Sequence, residues 1–143
     1  MAKFLLSYYN SRNNKEEQII IDALDLDDAC NKGHKHQLAR YYDNLTTTEL
    51  TYLEQTNGKY FIQMETKQNI TYPSGIRVRD NSTILLFLAN SISDVENWYR
   101  RNKLYTTEIN DNGAKTEWLT IQETYIMSGS YDWLSNREHI VLN

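Results

Sequence analysis

Two short runs rich in apolar residues, 3–9 and 17–23, open the chain on either side of Asn10-Ser11-Arg12-Asn13-Asn14. Apolar runs split by a polar turn predict an N-terminal β-hairpin. The period then lengthens. Leu26, Ala29, Cys30, Gly33, Gln37 and Tyr41 recur at spacings of three and four, which predicts a helix over residues 26–42 with an apolar face. Asp25 is placed to cap it, and Asp28 favours its positive end. Gly33 inside this helix costs about 1 kcal/mol relative to alanine. Residues 51–55 and 60–66 flank Asn57-Gly58, a pair that tolerates the left-handed backbone of a hairpin turn. A helix starting at Thr46, with Glu49 completing a capping box, competes for residues 46–56.

The second half repeats the style. Pro73-Ser74-Gly75 marks a turn, and residues 76–79 read as a short extended segment. Residues 83–89 form the most apolar run, predicted to be a central strand. Ser91 or Ser93 is the expected cap of a second helix, with Ile92, Val95, Trp98, Tyr99 and Asn102 on one side. Residues 104–109 and 117–127 flank Asn112-Gly113, the clearest hairpin signal in the chain. Tyr131, Trp133, Leu134 and a last apolar strand at 140–142 predict a tail that docks. These elements predict an α+β fold: mostly antiparallel sheet of about seven to nine strands with two main helices.

Sliding the chain by 66 residues lays residues 19–38 over residues 85–104 without a gap. Ala23 meets Ala89, Asp28 meets Asp94, Asn31 meets Asn97 and Leu38 meets Leu104. A duplicated strand–strand–helix–hairpin unit, with halves 1–66 and 67–143, is therefore one reading of residues 1–143 as a single compact domain. The other is that any two strand–cap–helix segments look alike.

Composition narrows the class. The 143 residues are 40% hydrophobic and include eleven tyrosines, enough for a core. Lys and Arg number 15 against 19 Asp and Glu, for a net charge of −4. Binders held mainly by phosphate neutralisation carry a basic excess, so any nucleic-acid site here is a local patch. One cysteine, Cys30, allows no internal disulfide, which fits a reducing, cytoplasmic setting. The longest apolar stretch, residues 84–89, is far short of a membrane span. The Asn/Tyr-rich, motif-free composition has the style of bacteriophage accessory and structural proteins.

Motifs for chemistry are weak. His34 and His36 lie about 200° apart on a helix and cannot share a metal there. Cys30 falls on the predicted apolar helix face and reads as a buried structural thiol. Asp25, Asp27 and Asp28 begin like a calcium loop, but Cys30 stands where that loop needs glycine. Ser128-Gly129-Ser130 lacks the frame of a nucleophile elbow, and no phosphate-cradling glycine loop is present.

One cluster stands out. Arg77 and Arg79 alternate along a short strand, while Trp98, Tyr99, Arg100, Arg101 and Lys103 end the second helix, with Tyr105 just beyond. Arginines among aromatics anchor protein interfaces, and they also grip phosphates and stack bases. Cations at a helix C-terminus also simply complement its dipole, with Trp98 and Tyr99 then belonging to the core. The sequence is read as a non-enzymatic binding or assembly protein, a virion component or an inhibitor of a host factor. It would act through a protein partner or by self-association. The alternative is a nucleotide or nucleic-acid binder using the same Arg/aromatic patch. No cofactor, metal or membrane is implied.

Overall fold

The computed structural model describes residues 2–10, 15–39, 49–52, 59–127 and 131–143. The fold is α+β, with two mostly antiparallel sheets, and the chain divides into two compact units. The first comprises Met1–Gln55 with Ser128–Tyr131, and the second Thr56–Met127 with Asp132–Asn143. No helix among the described residues is long and apolar enough to cross a membrane.

In the first unit, β1 (Ala2–Asn10) and β2 (Lys15–Ala23) form the expected antiparallel hairpin. Its turn lies outside the described residues. The helix α1 (Leu26–Ala39) follows, and β3 (Glu49–Tyr52) returns to the other side of β1, giving the order β2-β1-β3. Phe4, Leu6 and Tyr8 of β1 share one sheet face by their period of two, and with Ile21 and Ala23 they bury Ala29 of α1. The N-terminus of α1 is closed from both sides. Asp25 Oδ1 accepts the Asp28 N–H at 2.8 Å, and Asp28 Oδ2 accepts the Leu24 N–H at 2.9 Å. The Leu24 bond holds the Asp28 carboxyl below its ordinary pKa.

The second unit is built around β4 (Tyr60–Thr71), with β5 (Arg77–Ala89) on one side and β7 (Lys115–Ile126) on the other. β6 (Thr107–Ile109) and β8 (Ile140–Val141) complete the order β6-β7-β4-β5-β8. The helix α2 (Ile92–Asn102) leaves β5 and covers one sheet face. On the other face, Phe61, Leu86 and Leu88 bury Leu134 of the short helix α3 (Tyr131–Ser135), so the apolar tail docks. The β6–β7 turn closes where Asn112-Gly113 predicts it. Gly113 has φ +83°, and a Cβ there would lie 3.2 Å from Pro73 Cγ of the neighbouring hairpin.

Three expectations change. The strand at β3 exists, but it pairs with β1 instead of forming a hairpin with β4. Pairing is decided by which edge is open, and β4 already holds β5 and β7 on its two edges. The segment at 83–89 lies within β5 and is interior, but the middle strand is β4. Cys30 is exposed, because Ala29 and Gly33, one turn apart, face the sheet and turn Cys30 about 100° away.

The two units share one arrangement. Each contains a hairpin, a helix and a later strand that pairs antiparallel with the first strand, and the second unit adds β6 and β8. The shift of 66 carries the last residue of β2, Ala23, onto the last of β5, Ala89, and the first of α1, Leu26, onto the first of α2, Ile92. Caps coincide at Asp25 and Ser91, and buried helix positions at Ala29 and Val95 and at Gly33 and Tyr99. In each unit the first strand has an antiparallel partner on both sides. Phe4 lies opposite Ile21 and Tyr52, as Ile62 lies opposite Phe87 and Ile126.

Candidate functional site

Helix α2 organises the cluster that the sequence singles out. Ser91 Oγ accepts the Asp94 N–H at 3.1 Å and starts the helix. Val95 and Tyr99, four apart, then point into the sheet and are fully buried. The Tyr99 hydroxyl donates to the Leu119 carbonyl at 2.6 Å, and its ring meets the edge of Trp118 with centroids 6.4 Å apart. Burial pushes its phenol above the ordinary pKa, partly offset by a hydrogen bond with Thr66. Tyr99 is thus a core residue. Trp98, next on the helix, is half-buried, and its ring meets that of Phe87 edge to face with centroids 5.4 Å apart.

The cations do not act together. Arg100 pairs with Glu96 at 3.2 Å, and Lys103 pairs with Glu108 at 2.5 Å while lying 4.8 Å over the Trp118 ring. Arg77 pairs with Glu117 at 3.6 Å. Glu117 and Trp118 alternate along β7, and Trp118 faces α2, so Arg77 lies on the opposite sheet face. Arg79 sits beside a bulge where Asp80, at φ 54°, gives its N–H to Asn69 Oδ1. The structure thus separates the Arg77 and Arg79 strand from the α2 group. Tyr105 is 79% exposed with φ +61°, held by its N–H to the Trp118 carbonyl at 2.9 Å.

Trp98 and Arg101 do come together. With Asp94 they lie at spacings of four and three on α2, and they line an open groove of about 220 Å³ whose other wall is Val141, Leu142 and Asn143. Arg101 Nε donates to the Asn97 carbonyl at 3.3 Å. Among the described residues its guanidinium forms no ion pair. The Leu142 N–H donates to the Leu88 carbonyl at 2.9 Å, so strand alternation directs the N–H and C=O of Val141 outward. The groove therefore combines an aromatic wall, an available guanidinium and an outward-facing strand edge. A second depression, of about 530 Å³ at Ile109–Asn112, is lined by a single turn.

From the sequence alone Asp94 is only the counterpart of Asp28, and Val141 and Leu142 are only part of a docking tail. Their meeting with Trp98 depends on β8 pairing in parallel with β5, for which the sequence carries no local signal. Among the described residues, no three His, Cys, Asp or Glu side chains gather as a metal site. The side chains of His34 and His36 lie outside the described residues, as does Ser128-Gly129-Ser130. No protein-family model matches the chain, nor does any curated protein or solved structure.

Proposed function

We propose that this chain is a non-enzymatic binding protein whose partner is another protein, docked along the α2–β8 groove. The observation that carries this reading is the available guanidinium of Arg101 beside Trp98 and the outward backbone of Val141. A sheet edge recognises an extended backbone by main-chain hydrogen bonds, and neighbouring side chains then select the sequence. The fitting ligand is an extended segment carrying a carboxylate for Arg101 and an apolar side chain for Trp98.

The charge distribution favours a protein over a polyanion. Polyanion binding draws on several available cations acting together. Here Arg77, Arg100 and Lys103 are each neutralised by a glutamate, and Arg77 lies on the far sheet face.

A peptide-display selection tests the proposal. Enriched extended peptides bearing an acidic residue are expected, with binding weakened at least tenfold by Arg101→Ala or Trp98→Ala and little changed by Arg79→Ala. Absence of enriched peptides, together with salt-sensitive binding of an oligonucleotide, would replace this reading with the polyanion one.

A further inference from the structure

The equivalent strands β2 and β5 finish their outer edges in different ways. On β5 the Leu88 carbonyl accepts the Leu142 N–H at 2.9 Å, and β8 lies alongside in parallel. The position equivalent to Leu88 is Asp22, one residue before Ala23 as Leu88 is one before Ala89. Its carbonyl accepts the Lys32 ammonium at 2.7 Å. Lys32 in turn occupies the helix position of Trp98, which lines the groove beside Val141 and Leu142. One edge carbonyl thus receives a strand, and its counterpart receives a side-chain cation. Lys32 is tethered there by Asp28, one turn earlier on α1, at 3.4 Å.

Strand β2 runs for nine residues and contains Ile19-Ile20-Ile21. Among the described residues, no strand pairs with its outer side. A long β-branched edge is a template for pairing with another chain, and lysines are a common means of blunting one.

We propose that Lys32 is an edge guard: its hold on the Asp22 carbonyl keeps β2 from pairing with β2 of a second copy of this chain. The pairing it prevents is antiparallel and twofold, centred on Ile21. Ile21 then meets Ile21 of the second copy, Ile20 meets Asp22, and Ile19 meets Ala23. No like charges oppose one another over residues 19–23. In this register the Ile20 N–H of the second copy takes the Asp22 carbonyl that Lys32 now holds, so the two contacts exclude each other.

Sedimentation velocity over a hundredfold range of concentration tests this on the full chain. Wild type and Lys32→Arg are expected to remain monomeric. Lys32→Met keeps the stem and the helix propensity but removes the cation, and its apparent mass is expected to double with rising concentration. Amide exchange should then slow over residues 19–23, and adding Ile20→Pro should restore the monomer. If circular dichroism shows that Lys32→Met is not folded, Lys32→Gln carries the same test. A folded, cation-free variant that stays monomeric at every concentration overturns the proposal. So does a dimer that survives Ile20→Pro, or a wild-type dimer protected at residues 19–23.

Discussion

Both units bury the same two helix positions against their sheets, yet they divide the filling of the space between helix and sheet differently. In the first unit the helix contributes Ala29 and Gly33, and the sheet supplies the bulk through Phe4, Leu6, Tyr8 and Ile21. A Cβ at Gly33 would stand 3.3 Å from Leu6 Cδ2, so α1 lies close against the strands. In the second unit the helix supplies Val95 and the large ring of Tyr99, and the sheet beneath adds Phe87 and Trp118 along with the polar Thr66. The first interface is apolar and depends on close approach. The second is filled from both sides, and Tyr99 must find a polar partner, which the Leu119 carbonyl provides. One topology thus tolerates either division of volume between helix and sheet.

The sharpest way to break this contrast is to remove the filler. Tyr99→Ala is expected to lower stability by about 3–5 kcal/mol, the usual cost of truncating a buried aromatic. Urea denaturation measures it, and a loss below about 1 kcal/mol would mean that α2 collapses onto the sheet as readily as α1 approaches it. Overfilling the first unit should cost less. Gly33→Leu is expected to destabilise by about 1–3 kcal/mol through strain against Leu6 and Ile21. Gly33→Ala should be close to neutral, since a helix-propensity gain of about 1 kcal/mol opposes the squeeze on Leu6.

The caps test the likeness between the units, and their effects are smaller. Asp25→Ala and Ser91→Ala should each cost about 1 kcal/mol, and matching losses would support equivalent helix starts. Only the first unit adds a carboxylate to its cap. The Asp28 pKa is lowered from 3.8 by the Leu24 N–H, so its contribution is present above that pH and fades as the solution is made more acid. Asp28→Asn should flatten this acid limb of the stability profile.

A milder change at Tyr99 is Tyr99→Phe, which keeps the ring and deletes the bond to Leu119, at about 1 kcal/mol. Because the folded state raises the Tyr99 pKa above 10.0, its phenol favours folding below that pH. The advantage is lost as pH rises further, because the unfolded chain releases its proton first. Stability measured from pH 9 to 11 should therefore fall less steeply in Tyr99→Phe than in wild type.

Much of this molecule is written locally. The caps at Asp25 and Ser91, the turn at Asn112-Gly113 and the starts of both helices arise from contacts within four residues, and propensity acts over that range. The 66-residue correspondence was also visible, because strand end, cap and helix start recur as a string. The candidate site was legible only in part. Trp98 and Arg101 could be named as neighbours on a helix, but their surroundings could not.

What the sequence determined by itself was the kind and order of elements, since hydrogen bonds and sterics between near neighbours decide helix, strand and turn. The tertiary structure alone decided which strand β3 joined and that Cys30 faced solvent. It alone decided that glutamates neutralise Arg77, Arg100 and Lys103, and that β8 forms the wall opposite Arg101. For Arg77 and for the β8 wall, as for β3, the decisive partner lies tens of residues away, and no short-range pattern encodes the distance in space. Glu96 and Glu108 are near in sequence to Arg100 and Lys103, but only the folded helix and strand bring each pair into contact.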